Sequence, residues 1–373
     1  MAGIYVHIPF CKKACHYCNF HFSTSLGLQS EVVNAICREI ELHKNYLDNE
    51  PLSTIYFGGG TPSLLKSTEL ESIFDAIHKS FDIEKDPEIT LEANPDDLHQ
   101  DKIKDLFNLG VNRLSIGIQS FYDIDLKWMN RSHNSIQAHE AIYNSQEIGI
   151  DDISVDLIFG SPTTTMEMWQ KNLELAAAYH VNHLSCYSLT VEEKTALYSM
   201  IKKNKTKSPN EELAALQFQY TVEYLRSQKY KHYEISNYAK NGKISRHNTN
   251  YWMQEKYLGI GPSAHSYNNL SRQWNVSNNK KYVDAIHQNI IPCEIETLSK
   301  KEKFNEYLMT GLRTVWGCDS KKLQDIDKEL FSDFLVSVKP MLEELISFQN
   351  GNYTLKDSSK LIADSIIAEL FIN

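Results

Sequence analysis

Three cysteines within eight positions, Cys11, Cys15 and Cys18, are the residues of this chain whose types and spacing point most directly to chemistry. Their C-x3-C-x2-C spacing puts three thiols on one short loop, and thiolates are soft ligands suited to zinc, copper(I) or iron–sulfur centres. A zinc ion completed by His16 or His21 is one reading of the loop. Structural zinc sites, however, favour two separated pairs of ligands. A [4Fe–4S] cluster held by three cysteines suits the spacing better, and it leaves one iron open to chelate a small molecule. The other four cysteines, Cys37, Cys186, Cys293 and Cys318, are scattered and read as small buried hydrophobes.

The elements around the loop are those that would have to aim it. A β-rich run at 3–8 leads straight into Cys11, so the thiols stand at a strand's C-terminal end. Further strands are expected at 54–57, 88–92, 113–118, 153–159 and 183–189, with intervals that suit one crossover helix each. Ser67, Asp97 and Asn134 or Ser135 mark helix starts, and Gly110 and Gly149 mark helix ends. Periodicity does not separate an open sheet from an incomplete barrel. The strand ends do. Gly58-Gly59-Gly60-Thr61-Pro62 follows the second strand and lets backbone groups approach a ligand closely. Glu92, Gln119 and Asp156 each close a strand, and in an α/β barrel such ends converge on one site.

The chain has 373 residues, 42% hydrophobic and 23% charged, which fits two domains or one large barrel with an addition. Its formal charge of −10 argues against coating nucleic acid, and the basic run at 202–207 is short. No stretch approaches the roughly 18 apolar residues of a membrane span, and no secretory leader pattern opens the chain, so a cytoplasmic protein is expected. Three units are expected: 1–200 with the cysteine loop, 201–298 with a helix at 211–228 and an irregular polar segment at 233–279, and 299–373. The last unit is helical, with a hairpin turning at Asn350-Gly351, and reads as winged-helix-like.

The cysteine loop, with aromatic Tyr17 before its third cysteine, resembles the radical S-adenosylmethionine (SAM) superfamily. Tyr5-Val-His-Ile-Pro-Phe-Cys11, Gly58-Gly-Gly-Thr-Pro62, Ser115-Ile-Gly-Ile-Gln-Ser-Phe121, Asp156-Leu-Ile-Phe-Gly160 and Gly259-Ile-Gly-Pro-Ser-Ala-His265 narrow the resemblance to the oxygen-independent coproporphyrinogen III dehydrogenase group. The resemblance implies an α/β fold, an incomplete (β/α)6 barrel with a mainly helical C-terminal domain. It also implies a [4Fe–4S] cluster on Cys11, Cys15 and Cys18. SAM contacts are implied for Tyr5, Tyr17, Gly59, Gly60, Thr61, Glu92, Gln119, Arg131, Asp156, Thr190 and His265, with one or two SAM molecules left open.

Two departures resemble a heme-chaperone branch of that group. Cys18-Asn19-Phe20 has no fourth cysteine where the dehydrogenases have one, and the first strand begins within five residues of Met1. A third feature, Arg246-His247-Asn248-Thr249-Asn250-Tyr251-Trp252, matches an H-N-x-x-Y-W motif of that branch. The resemblance implies heme as cargo, with His247 as ligand, axial or covalent, and Tyr251 and Trp252 against the porphyrin. Arg246 is placed to pair with a propionate. The implied partner is an acceptor hemoprotein such as one of the respiratory chain, reached through transient contact where it is membrane-bound. The electron donor has no signature. The alternative is radical decarboxylation of coproporphyrinogen III, against which Phe20 stands.

Overall fold

In the computed structural model, which describes residues 2–372, the six expected strands form consecutively. They are β1 (Ala2–Ile8), β2 (Leu52–Gly59), β3 (Ile83–Ala93), β4 (Arg113–Gln119), β5 (Asp152–Phe159) and β6 (His183–Ser188). Each pairs in parallel with the next, in sequence order. Met1 and Asn373, the outermost residues of the expected units, lie outside the described residues.

The alternation along these strands explains both faces of the sheet, because successive side chains of a strand point to opposite sides. Ile4, Val6, Ile55, Phe57, Leu91, Leu114, Ile116, Val155, Leu157 and Leu184 belong to one continuous buried apolar core shared with the crossover helices. The residues between them form a second, polar series: Tyr5 and His7, Thr54 and Tyr56, Glu88 and Glu92, Arg113 and Ser115, Ser154 and Asp156, His183 and Ser185. A barrel interior is ordinarily filled by branched aliphatic side chains. Here it is hydrophilic, which is costly for stability unless the groups bind one another or a ligand.

The stretch at 233–279 is not irregular, and this corrects the expectation. Behind the helix Glu211–Ser227 come β7 (Lys231–His232) and β8 (Asn237–Ala239), which extend the β6 edge in antiparallel fashion. The chain then crosses to the opposite edge. There β9 (Tyr257–Ile260) pairs parallel with β1, followed by antiparallel β10 (His265–Tyr267), β11 (Ser271–Asn275) and β12 (Cys293–Thr297). The sheet thus runs from β12 to β7 without closing. Strands of two to five residues, rich in Asn, Ser and Gly, are too short to show a period.

A buried carboxylate fastens the added edge. Glu39, on the helix Gln29–Leu42, accepts from the Gly261 amide at 2.8 Å, Asn275 Nδ2 at 2.6 Å and the Tyr282 hydroxyl at 2.5 Å. That helix ends at Leu42, and the chain then turns through Asp48 and Asn49, both at positive φ.

Residues 300–370 carry a hydrophobic core of their own, built on Phe304, Leu308, Phe334, Val338, Ile346 and Ile366. Its three-stranded sheet, β13 (Cys318–Asp319), β14 (Ile346–Gln349) and β15 (Asn352–Leu355), contains the expected Asn350-Gly351 hairpin. Among the described residues no helix is long and apolar enough to cross a membrane. Of the scattered cysteines, Cys186 and Cys318 are buried, whereas Cys37 and Cys293 are half-buried.

Candidate functional site

The C-terminal ends of the parallel strands open into a cleft of about 420 Å³. Cys11, Cys15 and Cys18 line it together with Tyr17, Gly59, Gly60, Thr61, Glu92, Gln119, Arg131, Asp156 and Thr190. Two residues expected there do not. Tyr5 lies behind the wall, its hydroxyl 3.1 Å from His7 Nδ1, and the exposed His265 stacks on Trp274 at 6.1 Å.

The cysteine loop is held from outside the cleft. The Cys11 amide donates to Ser23 O at 3.0 Å and the His16 amide to Met129 O at 3.1 Å. His7 Nε2 donates to the carbonyl of His21 at 2.9 Å. The two histidines considered as zinc ligands are tied elsewhere: His16 Nδ1 donates to Trp128 O at 2.7 Å, and His21 Nε2 donates to Asn279 Oδ1 at 2.8 Å. Among the described residues no three His, Cys, Asp or Glu side chains gather around a single-ion site.

Two donors address the sulfurs directly. The Thr61 hydroxyl lies 3.4 Å from Cys11 Sγ, and Arg131 Nη1 lies 3.3 Å from Cys15 Sγ. Such donors tune the charge that thiolates deliver to a cluster, so this donor set fits one. Burial foremost, with the neighbouring thiols, pushes Cys11 up to about 11, and burial raises Cys18 too. Binding of a metal centre would therefore displace protons from the loop.

The glycine turn fits tightly beneath the loop. A methyl group on Gly60 would stand 2.7 Å from the carbonyl oxygens of both Ile8 and Phe10, and Gly59 adopts φ +102°. Gln119 is held at φ +63°, beyond a register shift between β4 and β5, and reaches the cleft from that strained position.

Two half-buried carboxylates line the cleft. Glu92 accepts from the Tyr56 hydroxyl at 2.8 Å and the Gly59 amide at 3.2 Å, and burial pushes it up to about 7. Asp156 accepts from Ser115 at 2.8 Å and Ser154 at 3.1 Å, and burial likewise raises it. Behind Asp156 a chain of hydrogen bonds continues from Ser154 to His183 Nδ1 at 2.7 Å and from His183 Nε2 to the Tyr233 hydroxyl at 2.7 Å. Tyr56, Ser115, Ser154 and His183 were not singled out from the sequence. The signal that would have found them is the polar residue at every second position of each strand.

The motif at Arg246–Trp252 forms a short helix. His247, the expected heme ligand, points inward: it is 1% exposed, with Nδ1 2.8 Å from Thr54 Oγ1 and Nε2 2.9 Å from the Tyr251 hydroxyl. No ring nitrogen is free for iron in this arrangement. Arg246, expected beside a propionate, donates to Asp86 O at 2.7 Å and to Glu84 at 3.3 Å. Tyr251 and Trp252 line a second cavity of about 430 Å³ whose wall includes Tyr187, a residue shared with the cleft.

Parallel strands that aim a three-cysteine loop, a glycine turn and two half-buried carboxylates into one cleft define a radical SAM protein. A sequence model of the Radical SAM superfamily matches residues 5–176. The chain is 35% identical to the heme chaperone HemW of Bacillus subtilis over 98% of both chains. It is 34% identical to the HemW of Lactococcus lactis, covering 86% of this chain and 84% of that one. It is also 32% identical to the mouse mitochondrial radical S-adenosyl methionine domain-containing protein 1, over 93% of this chain and 80% of that one. The chain belongs to the HemW family of radical SAM proteins. Its fold is that of the coproporphyrinogen III oxidase HemN of Escherichia coli, with a TM-score of 0.86 at 20% identity over 99% of this chain and 90% of that one.

Proposed function

We propose that this protein carries heme and delivers it to an acceptor hemoprotein, with a [4Fe–4S] cluster on Cys11, Cys15 and Cys18 and exchangeable SAM beside it. The observation that carries this reading is the near full-length similarity to a heme chaperone, which includes the C-terminal unit as well as the cleft. Phe20 agrees with it. Where a fourth cysteine would stand, an aromatic ring 68% exposed lines the cleft. The proposed setting is the cytoplasm, with a respiratory-chain hemoprotein as the acceptor, met at the membrane where it is membrane-bound.

When bound, the cluster would offer its open iron to the amino and carboxylate groups of SAM. The chain's own residues would do the rest. The Gly59–Gly60 turn would give backbone groups close access to that end of SAM, and Glu92 and Asp156, in their ionised forms, would complement its sulfonium charge. Arg131 and Tyr17 close the floor beside Cys15, with Arg131 Nη1 3.4 Å from the Tyr17 hydroxyl. Thr190 bounds the same cleft.

The test uses anaerobically reconstituted protein, supplied with ferric heme in one arm and with coproporphyrinogen III, SAM and a reductant in the other. Binding of about one heme per chain without formation of protoporphyrinogen is expected. Turnover of the porphyrinogen without heme binding would make the protein a dehydrogenase instead.

A further inference from the structure

Behind the Asp156 carboxylate the barrel interior holds polar side chains shut off from water. Ser154, Ser185, His183 and Tyr233 are each at most 3% exposed. Ser154 Oγ lies 3.1 Å from Asp156 Oδ1 and 2.7 Å from His183 Nδ1, and His183 Nε2 lies 2.7 Å from the Tyr233 hydroxyl. Such a chain has two possible directions, because each hydroxyl carries one hydrogen and a neutral imidazole carries one on its ring nitrogens.

Two observations choose between them. Burial, with Arg113 nearby, holds His183 well below its usual range, so the ring is neutral, a donor at one nitrogen and an acceptor at the other. Tyr233 has a single hydrogen, the Ser245 amide already donates to its oxygen, and among the described residues His183 Nε2 is the acceptor within reach of that hydroxyl. A proton on Nε2 would leave the Tyr233 hydrogen buried without an acceptor, which is the costlier arrangement. The direction is therefore from the Tyr233 hydroxyl to His183 Nε2, from Nδ1–H to Ser154 Oγ, and from the Ser154 hydroxyl to Asp156. The far end is braced by the C-terminal unit: the Val315 amide donates to the Tyr233 carbonyl at 3.0 Å, and the Trp316 ring lies 6.2 Å from the Tyr233 ring.

We propose that His183, oriented by Tyr233, is a positioning residue of the cleft: it keeps the Ser154 hydrogen turned toward Asp156 and so favours the carboxylate form that faces a cationic ligand. The proposal rests on the reading that the cleft takes SAM, and it names what sets the preference for a charged sulfonium over a neutral thioether of nearly the same shape. In the opposite tautomer Ser154 would donate to Nδ1, and Asp156 would lose one of the hydroxyls that stabilise its charge. Ser115 and Ser185 would remain on the carboxylate. Arg113 attracts Asp156 and Glu92 repels it, and neither is touched by the substitutions below.

The experiment has two arms, both on the full-length chain. The first reads the His183 tautomer by nitrogen NMR of protein labelled in histidine, assigned by loss of the signal in His183→Asn. A neutral ring protonated on Nδ1 is expected, and a ring protonated on Nε2 would overturn the inference. The second titrates SAM and S-adenosylhomocysteine, its uncharged thioether counterpart, into anaerobically reconstituted protein by calorimetry. His183→Leu should reduce the preference for SAM by about tenfold, the worth of one hydrogen bond to a charged group. Tyr233→Phe, which keeps the ring beside Trp316 but frees the tautomer, should reduce it by about threefold, and His183→Asn, whose amide can donate where Nδ1 stands, should keep it. A merely structural role would weaken both ligands equally, so an unchanged preference in His183→Leu and Tyr233→Phe would overturn the assignment. Wild-type protein that binds neither ligand would overturn the reading of the cleft itself, a result the tautomer measurement keeps separate.

Discussion

Arg131 places Nη1 3.3 Å from Cys15 Sγ while its Nη2 is fixed by Asn94 Oδ1 at 2.5 Å and Gly117 O at 2.8 Å. Those two bonds hold the half-buried guanidinium in place, so its charge and its donor act on that sulfur. Donors and positive charge at a cluster sulfur stabilise the reduced form. Arg131→Met should therefore retain iron but lower the cluster's midpoint potential, and Arg131→Lys should fall between the two. An EPR-monitored redox titration reads this directly, and an unchanged midpoint in Arg131→Met would remove the assigned role.

Tyr56 governs a second property of the cleft. Its hydroxyl holds Glu92 lower than burial alone would, at about 7. Binding of the cationic sulfonium of SAM needs the carboxylate form, so wild-type affinity should fall as pH drops from 8 to 6. Tyr56→Phe removes the donor and should move that fall to higher pH. Isothermal titration of SAM at several pH values tests it, and superimposable profiles would show that Glu92 does not sense the sulfonium.

Much of this cleft is legible in the sequence because its parts sit where secondary structure changes. Cys11 follows a strand, Gly59 ends one and Glu92 stands one residue from an end, whereas Asp156, expected to close a strand, lies midway along β5 in a regular alternation of apolar and polar residues. His247 is different. Its neighbours along the helix are visible in sequence, but its burial is decided by Thr54 on β2, a contact across 193 positions that no local pattern encodes. The same holds for β9, which leaves the polar segment to pair with β1 at the far edge.

Stability should carry its own pH signature through Glu39. The residue titrates near 4.5 when unfolded and at about 7 in the fold, where burial outweighs its three donors. His43 Nε2, 3.9 Å away, is itself held down to about 4 by burial and does not form an ion pair with it. Between pH 4.5 and 7 the folded chain keeps a proton that the unfolded chain has released, so stability falls as pH rises through that window. Glu39→Gln should remove this component, up to about 3 kcal/mol. Urea denaturation at pH 5 and pH 7.5 measures it, and an equal pH dependence in both proteins would contradict the assignment.

The most direct test of the account is transfer itself. Wild-type protein is loaded with one ferric heme and mixed with an apo-hemoprotein whose absorption reports heme arrival, with Cys15→Ala protein and free heme run in parallel. Heme is expected to leave the loaded protein and appear in the acceptor faster than free heme partitions into it. Heme that stays on the protein, or reaches the acceptor only at the rate of free heme, would contradict it.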